Sequence, residues 1–308
     1  MKRMTIIGLV IILIGVIVLS LYNISGNTLN TAYDVSGNTL PVAYDKSGEE
    51  VFPDYPILPV PTGDLTAAST VVLPDIYNNG HGWTCTGLAY DADSDTFLVG
   101  DIGKALPSSP GFASQIVKMS SDFTTVKGTI PLYTSFTSMQ DIQGITIDMT
   151  DGTIWFCSTS ENLIRHINSD GTSIGSFSVS GSPTGIAYSP KDDSLWVLTY
   201  ADSNNIQRIS KTGTVLEQYT FSYSDTLDQC FLDPERGYLY ITAGANYSSR
   251  NNVYLFNTST HAQSITCTVD SHSVEGIWIG ETEMVIVNDG YYHSAYDNRN
   301  VANIYDLS

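Results

Sequence analysis

Basic residues are scarce. Against 32 Asp and Glu stand only 13 Lys and Arg, a net charge of −19. Nucleic acid and anionic lipid repel such a chain, so a nucleic-acid partner is excluded, and the Arg and Lys clusters that grip polyphosphates are missing. Cysteine is scarce as well. Cys85, Cys157, Cys230 and Cys267 make no C-x-x-C or C-x-x-H pair, and His and Cys nowhere show the close spacing of a zinc site. There is no G-x-S-x-G for a serine hydrolase, and no G-x-G-x-x-G or Walker loop. Long charged helical stretches are absent too. What remains is rich in Tyr, Ser and Thr, a bias towards β-structure. With 42% apolar residues, the 308-residue chain can build a real core in one large domain or two small ones. Its acidity suits Ca²⁺, whose ligands are carboxylate and carbonyl oxygens.

The N-terminus departs from the rest. Lys2 and Arg3 precede an uncharged run of 19 residues, Met4 to Tyr22, long enough for a transmembrane helix. Residues 1–22 read as a signal anchor. A cleaved signal peptide is the competing reading, although its best small-x-small site, Val18-Leu19-Ser20, is weak. Either way the positive end stays in the cytoplasm and the rest is exported. The expected location is the cell membrane, single-pass with the main domain outside, or secreted if the segment is cleaved. Three eleven-residue units follow, YNISGNTLNTA, YDVSGNTLPVA and YDKSGEEVFPD, at 22–54. Each reads as a Ser-Gly turn between two short extended pieces. Prolines 53, 56, 59 and 61 then favour stiff, extended chain. Residues 23–66 read as a spacer, in function either a plain linker or a partner-binding stalk.

A longer repeat begins near residue 85. TGLAYDADSDTFLVGD, QGITIDMTDGTIWFCS, TGIAYSPKDDSLWVLT, DQCFLDPERGYLYITA and EGIWIGETEMVIVND each hold an apolar strand, a tight Asp/Pro/Gly turn and a second apolar strand. Their starts, at Gly87, Gly144, Gly185, Gln229 and Gly276, are 41 to 57 residues apart, the length of a propeller blade. A third and an outer strand follow each unit except the fifth, which has no outer strand. STVVLP, at 69–74, is a strand without a local partner. The expected fold is therefore an all-β, five-bladed β-propeller spanning 67–308. Residues 69–74 would complete the last blade and abolish its open edge. A β-sandwich has too few strands and a β-helix too short a repeat. The four cysteines fall on strands too far apart for bridges, and buried thiols are expected.

With these units the chain resembles the NHL/YVTN-type propeller superfamily, whose relatives include gluconolactonase-like and SdiA-regulated proteins. The resemblance covers about 68–308 and speaks to fold more than to activity. In gluconolactonase-like chains a Glu-Gly supplies a metal ligand beside Asn and Asp. By that resemblance Glu275, Asp228, Asn246 and Asp289 are candidate Ca²⁺ ligands, although Glu275-Gly276 opens the last blade here and not the first. A hydrogen-bonded polar plug or a solvated channel is the plainer reading of the same ring.

Propeller topology puts the short turns on one face and the longer loops on the other, where function concentrates. His81, His272 and His293 fall in those long loops and are candidate general bases, or simply solvated side chains. Tyr77, Trp83, Tyr200, Tyr247, Tyr291 and Tyr292 cluster there too. Beside Asn and Asp they make a sugar- or peptide-binding surface, or pack the loops together. The functional expectation is binding of an extracellular glycan or protein by this face. The alternative is a Ca²⁺-dependent hydrolase or lactonase at the channel mouth, and a purely structural surface module is a third reading.

Overall fold

The computed structural model describes residues 55–77, 83–102, 114–132, 135–136, 141–200, 204–243, 250–289 and 295–308, together with backbone strand segments between 8 and 51. The chain forms two compact units, Met1–Tyr55 and Pro56–Ser308.

The second unit is a five-bladed propeller. Blade one runs Cys85–Asp91, Thr96–Asp101, Gln115–Ser120 and Val126–Pro131, and blade two runs Ile142–Ile147, Ile154–Ser158, Leu163–Ile167 and Ser173–Ser178. Blade three is Pro183–Ser189, Ser194–Thr199, Asn205–Ser210 and Val215–Thr220. Blade four is Leu227–Asp233, Tyr238–Ala243, Asn251–Asn257 and Gln263–Val269. Blade five is Val274–Ile279, Glu283–Asn288 and Val301–Asp306, with Ser69–Val72 as its outer strand. Successive innermost strands touch, and that of blade five returns to blade one, so the ring is closed.

The repeat dictates this locally. An Asp ends most inner strands and folds the turn onto itself. Asp148 Oδ1 accepts the Thr150 N–H at 3.0 Å, and Asp233 Oδ1 that of Glu235 at 3.0 Å. Each second strand is sandwiched between neighbouring blades. Every residue of Thr96–Asp101, Ile154–Ser158 and Ser194–Thr199 is buried, which accounts for their near-continuous apolar runs. The outer strand Ser173–Ser178 instead alternates towards water. The four cysteines are buried free thiols, as expected.

All five inner strands bulge at the same place, between Cys85 and Leu88, Ile142 and Ile145, Pro183 and Ile186, Leu227 and Cys230, and Val274 and Ile277. The bulge carries the residue pair that opens each unit. In four blades its second member is glycine, because neighbouring backbones meet there. A Cβ on Gly87 would lie 2.2 Å from the Gln143 carbonyl oxygen, and one on Gly144 2.5 Å from that of Thr184. Blade four has Gln229 instead. Its Oε1 accepts the N–H of Cys230 at 2.9 Å and that of Ile186 in blade three at 3.2 Å. Its Nε2 stands 2.7 Å from where a Gly87 Cβ would sit, so this side chain reaches across the axis to blade one.

Closure joins Val301↔Val72, Ala302↔Val71, Asn303↔Thr70 and Ile304↔Ser69 in antiparallel register. A polar knot fixes it. Asn303 Nδ2 donates to Thr70 Oγ1 at 2.9 Å, and Asn303 Oδ1 accepts from Asn288 Nδ2 at 2.7 Å and Ser271 Oγ at 3.1 Å. The chain engages the ring before this strand. Gly63–Leu65 adds in parallel to the outer strand of blade four. Leu58 is buried, Arg236 donates to its carbonyl, Arg250 donates to that of Leu65, and Thr266 Oγ1 donates to the Pro61 carbonyl at 2.6 Å.

In the first unit, the helix expected over the apolar N-terminal run is not present. Gly8–Leu13 and Val16–Tyr22 are antiparallel strands. Their Ile and Val content accords with this, since β-branched side chains favour strands. Among the described residues no helix is long and apolar enough to cross a membrane. The eleven-residue units are tandem hairpins: Tyr22 pairs with Thr28, Tyr33 with Thr39 and Tyr44 with Glu50.

Asn303→Leu should take from buried Asn288 Nδ2 its 2.7 Å acceptor, while Ser271 Oγ keeps Asn288 Oδ1 at 2.7 Å and Thr70 is exposed to water. A loss of about 1–3 kcal/mol is expected, read as a lower urea midpoint at unchanged slope. An unchanged midpoint would show that the knot adds nothing to closure.

Candidate functional site

The bulges and the ends of the second strands converge at one mouth of the axis. Threonine hydroxyls stitch blade to blade there. Thr86 Oγ1 donates to the Ile142 carbonyl at 2.9 Å, Thr184 Oγ1 to that of Leu227 at 3.2 Å, and Thr242 Oγ1 to that of Glu275 at 2.9 Å. Such bonds leave the bulge backbone satisfied and rigid.

Two neighbouring bulges carry acids. Asp228 of blade four and Glu275 of blade five share a side-chain hydrogen bond. Burial pushes both acids up. The charges of Asp228 and Asp289 raise Glu275 further, and that of Asp289 raises Asp228. Close carboxylates in a desolvated site cannot both ionise, so the pair keeps a proton near neutrality. Both side chains retain a water-accessible face although protein encloses their other sides. They form a recessed site that solvent can reach.

Around them the mouth stays acidic. Cys85 Sγ donates to the Asn288 carbonyl at 3.3 Å. Burial, then the charges of Asp289, Glu275 and Asp101, raise its pKa well above the usual thiol range, so it is an inert thiol and not a nucleophile. Asp101 accepts from Tyr77 Oη and, at 3.1 Å, from Gln115 Nε2, which also donates to Tyr77 Oη at 2.9 Å. Among the described residues no three of His, Cys, Asp and Glu are grouped closely enough to hold a metal ion. Asp228 and Glu275 offer the oxygen donors a hard cation prefers, but with Asp289 they do not close into a three-carboxylate site. Asn246, the fourth residue implied by the resemblance, lies outside the described residues.

The other sequence candidates separate clearly. Tyr200 is 43% exposed beside the mouth. Tyr77 is half-buried on Asp101. Trp83 is fully buried, its Nε1 donating to the Pro74 carbonyl at 3.0 Å, and it packs under the closing strand. The backbone N–H of His272 donates to Tyr296 Oη at 3.2 Å, and its ring meets the Tyr296 ring edge-on at 5.7 Å. His81, His293, Tyr247, Tyr291 and Tyr292 lie outside the described residues. Sequence reasoning gave Gln229 no role at the axis. Its signal was the break in pattern: Asp-Gln opens the fourth unit where x-Gly opens the others.

No family model and no curated protein matches the sequence. Solved structures of similar fold include a gluconolactonase from Xanthomonas campestris, with 14% identity, a TM-score of 0.49, and coverage of 83% of this chain and 99% of that one. The nidogen/laminin complex aligns at 15% identity and TM-score 0.49, covering 76% of this chain and 85% of that one. The structure of U3-55K aligns at 15% identity and TM-score 0.44 over 74% of this chain, which spans 63% of that protein's chain. These are similarities of fold.

The acid pair predicts a pH signature. In the folded state burial pushes Asp228 up to about 7 from the ordinary carboxylate range, so the folded chain holds the proton that the unfolded chain releases. Its contribution to stability should be full below pH about 4 and should fall as pH rises towards neutrality. Asp228→Asn should flatten this slope in urea titrations between pH 4 and 8. A variant curve parallel to the parent's would rule out Asp228 as the source.

Proposed function

We propose that the chain is an exported, membrane-tethered propeller that binds an extracellular glycan or protein on its long-loop face. The observation that supports this reading is the mouth itself. Carboxyl, amide and hydroxyl groups from several blades converge there on rigid strands, with Tyr200 exposed at the rim. Polar handles beside an aromatic face suit a sugar or a peptide. Lys2 and Arg3 ahead of the long uncharged run support export and tethering.

A second reading, a Ca²⁺-dependent hydrolase or lactonase, draws on one observation, the hydrogen-bonded Asp228–Glu275 pair. The pair would offer two carboxylate ligands, other groups would have to complete the ion's shell, and a bound ion would supply Lewis-acid polarisation of a carbonyl oxygen. Binding the ion would require the pair to release the proton it retains.

Two measurements on the full chain decide between the readings. On a glycan and extracellular-protein array, binding that drops at least tenfold in Tyr200→Ala supports the binding role, and no binding removes it. Calorimetry with Ca²⁺ should give heat in the parent that disappears in Glu275→Gln if the enzyme reading holds. No heat in the parent removes the metal.

A further inference from the structure

A crevice of about 270 Å³ opens between blades three and four on the short-turn face, among the turns after their inner strands. It lies at the other end of the blades from the acidic mouth. Trp196 and Leu232, one from each blade, are the apolar side chains of its lining and are otherwise buried in the core. Its wall is a row across blade three: Trp196 pairs with Arg208 on the next strand, and Arg208 with Glu217 on the outer one. We propose that this crevice is a binding site for a neutral, ring-sized, polyhydroxylated ligand, a single sugar unit.

Size, charge and polarity each narrow the ligand. The volume falls just below the range of about 300–1,000 Å³ for drug-sized ligands, so one ring fits and an oligomer must extend outward. The charges are already matched. Arg208 is forked between Asp192 and Glu217, and Lys191 lies 3.8 Å from Glu235 Oε2. An anion would have to approach Asp192 and Glu217, and a cation would face the guanidinium, so neither gains from the site. A neutral ligand can use both halves of the row, hydroxyl protons to the carboxylates and hydroxyl oxygens to guanidinium N–H groups. The small apolar edge that Trp196 and Leu232 present beside the polar row suits the C–H groups of a sugar ring whose hydroxyls face the row.

The wall is also held in position before any ligand arrives. Glu217 Oε2 accepts from Tyr219 Oη at 2.6 Å, and Tyr219 Oη lies 2.8 Å from His261 Nε2. Asp192 Oδ1 accepts from Ser194 Oγ at 2.8 Å. The edge of Trp196 is fixed against Phe256, ring centres 5.6 Å apart. Side chains locked by their neighbours lose little entropy on binding.

Calorimetry and saturation-transfer NMR on the full chain, with neutral hexoses and pentoses as probes, test this. At least one should bind with a dissociation constant of about 1 mM, the scale that a ligand of about a dozen heavy atoms reaches at ordinary ligand efficiency. Arg208→Lys keeps the charge but loses the fork, and binding should weaken at least tenfold. Lys191→Trp, at an exposed rim position, should cover the crevice and abolish binding while the unfolding midpoint stays at the parent's value. Absence of binding by every neutral sugar would overturn the proposal. So would binding that survives both variants, or a uronic acid or amino sugar that binds as tightly as its neutral counterpart.

Discussion

Four residues, Ser69 to Val72, stand between a closed ring and an open stack, and their hydrogen bonds to Val301–Ile304 are the constraint on which the remaining geometry depends. The four main strands of blades one to four are each adjacent in sequence, with Gly63–Leu65 added outside blade four. Only blade five lacks an outer strand of its own and takes it from the other end of the domain, with Thr70 and Asn303 separated by 233 positions. Closing so long a loop costs entropy that grows only slowly with length, but nothing repays it until the seam is made. The seam is accordingly well furnished. Leu73 N–H donates to the Asn300 carbonyl at 2.9 Å, Asn300 Nδ2 donates to the Trp83 carbonyl, and Trp83 Nε1 returns to Pro74. Segments 73–74, 83 and 300 are thus clasped together while Asn303 holds the register from inside the blade.

Closure is what places the two acids side by side. Once the ring shuts, bulges meet bulges about the axis, and only glycine fits where neighbouring backbones cross. The exception at Gln229 fills the axis with one amide that bonds blade three and reaches blade one. Its presence makes the axis asymmetric. Blade four contributes Asp228 and Gln229 together, an acid towards the mouth and a plug across the bore.

Much of this was legible because it repeats. Period-two strands, Asp-led turns and a fifth unit lacking its outer strand together led to the blades and to the closing segment. Non-local burial was less legible. Trp83 lies in a Gly- and Asn-rich stretch that looks like an exposed loop, and only the clasp with 74 and 300 explains why it is wholly enclosed. Tyr77 reads as a free aromatic until Asp101 and Gln115 are seen to engage it. The prolines before residue 62 read as stiff chain, and nothing local shows that Arg236 and Arg250, far along the sequence, bind its carbonyls. The N-terminal run had the length and hydropathy of a span, and its β-branched composition was the signal for the strands that form. At the mouth the acids themselves were readable from their place in the repeat. Their mutual hydrogen bond was not, since it depends on the angle between blades.

The two ends of the blades handle buried charge in opposite ways, and that difference sets what each can recognise. At the mouth, acids from two blades meet with too little compensation, and a retained proton makes the pair tolerable. Whatever settles there must do what that proton does, by bringing positive charge or several donors. At the crevice, Arg208 is answered on both sides by carboxylates within its own blade, so the site is complete without an occupant and gains nothing from a charged one. A chain with so few basic residues has used one of them to make a neutral polar surface. A demand for positive charge or donors at one end and a preference for neutral ligands at the other thus follow from where a scarce arginine is placed.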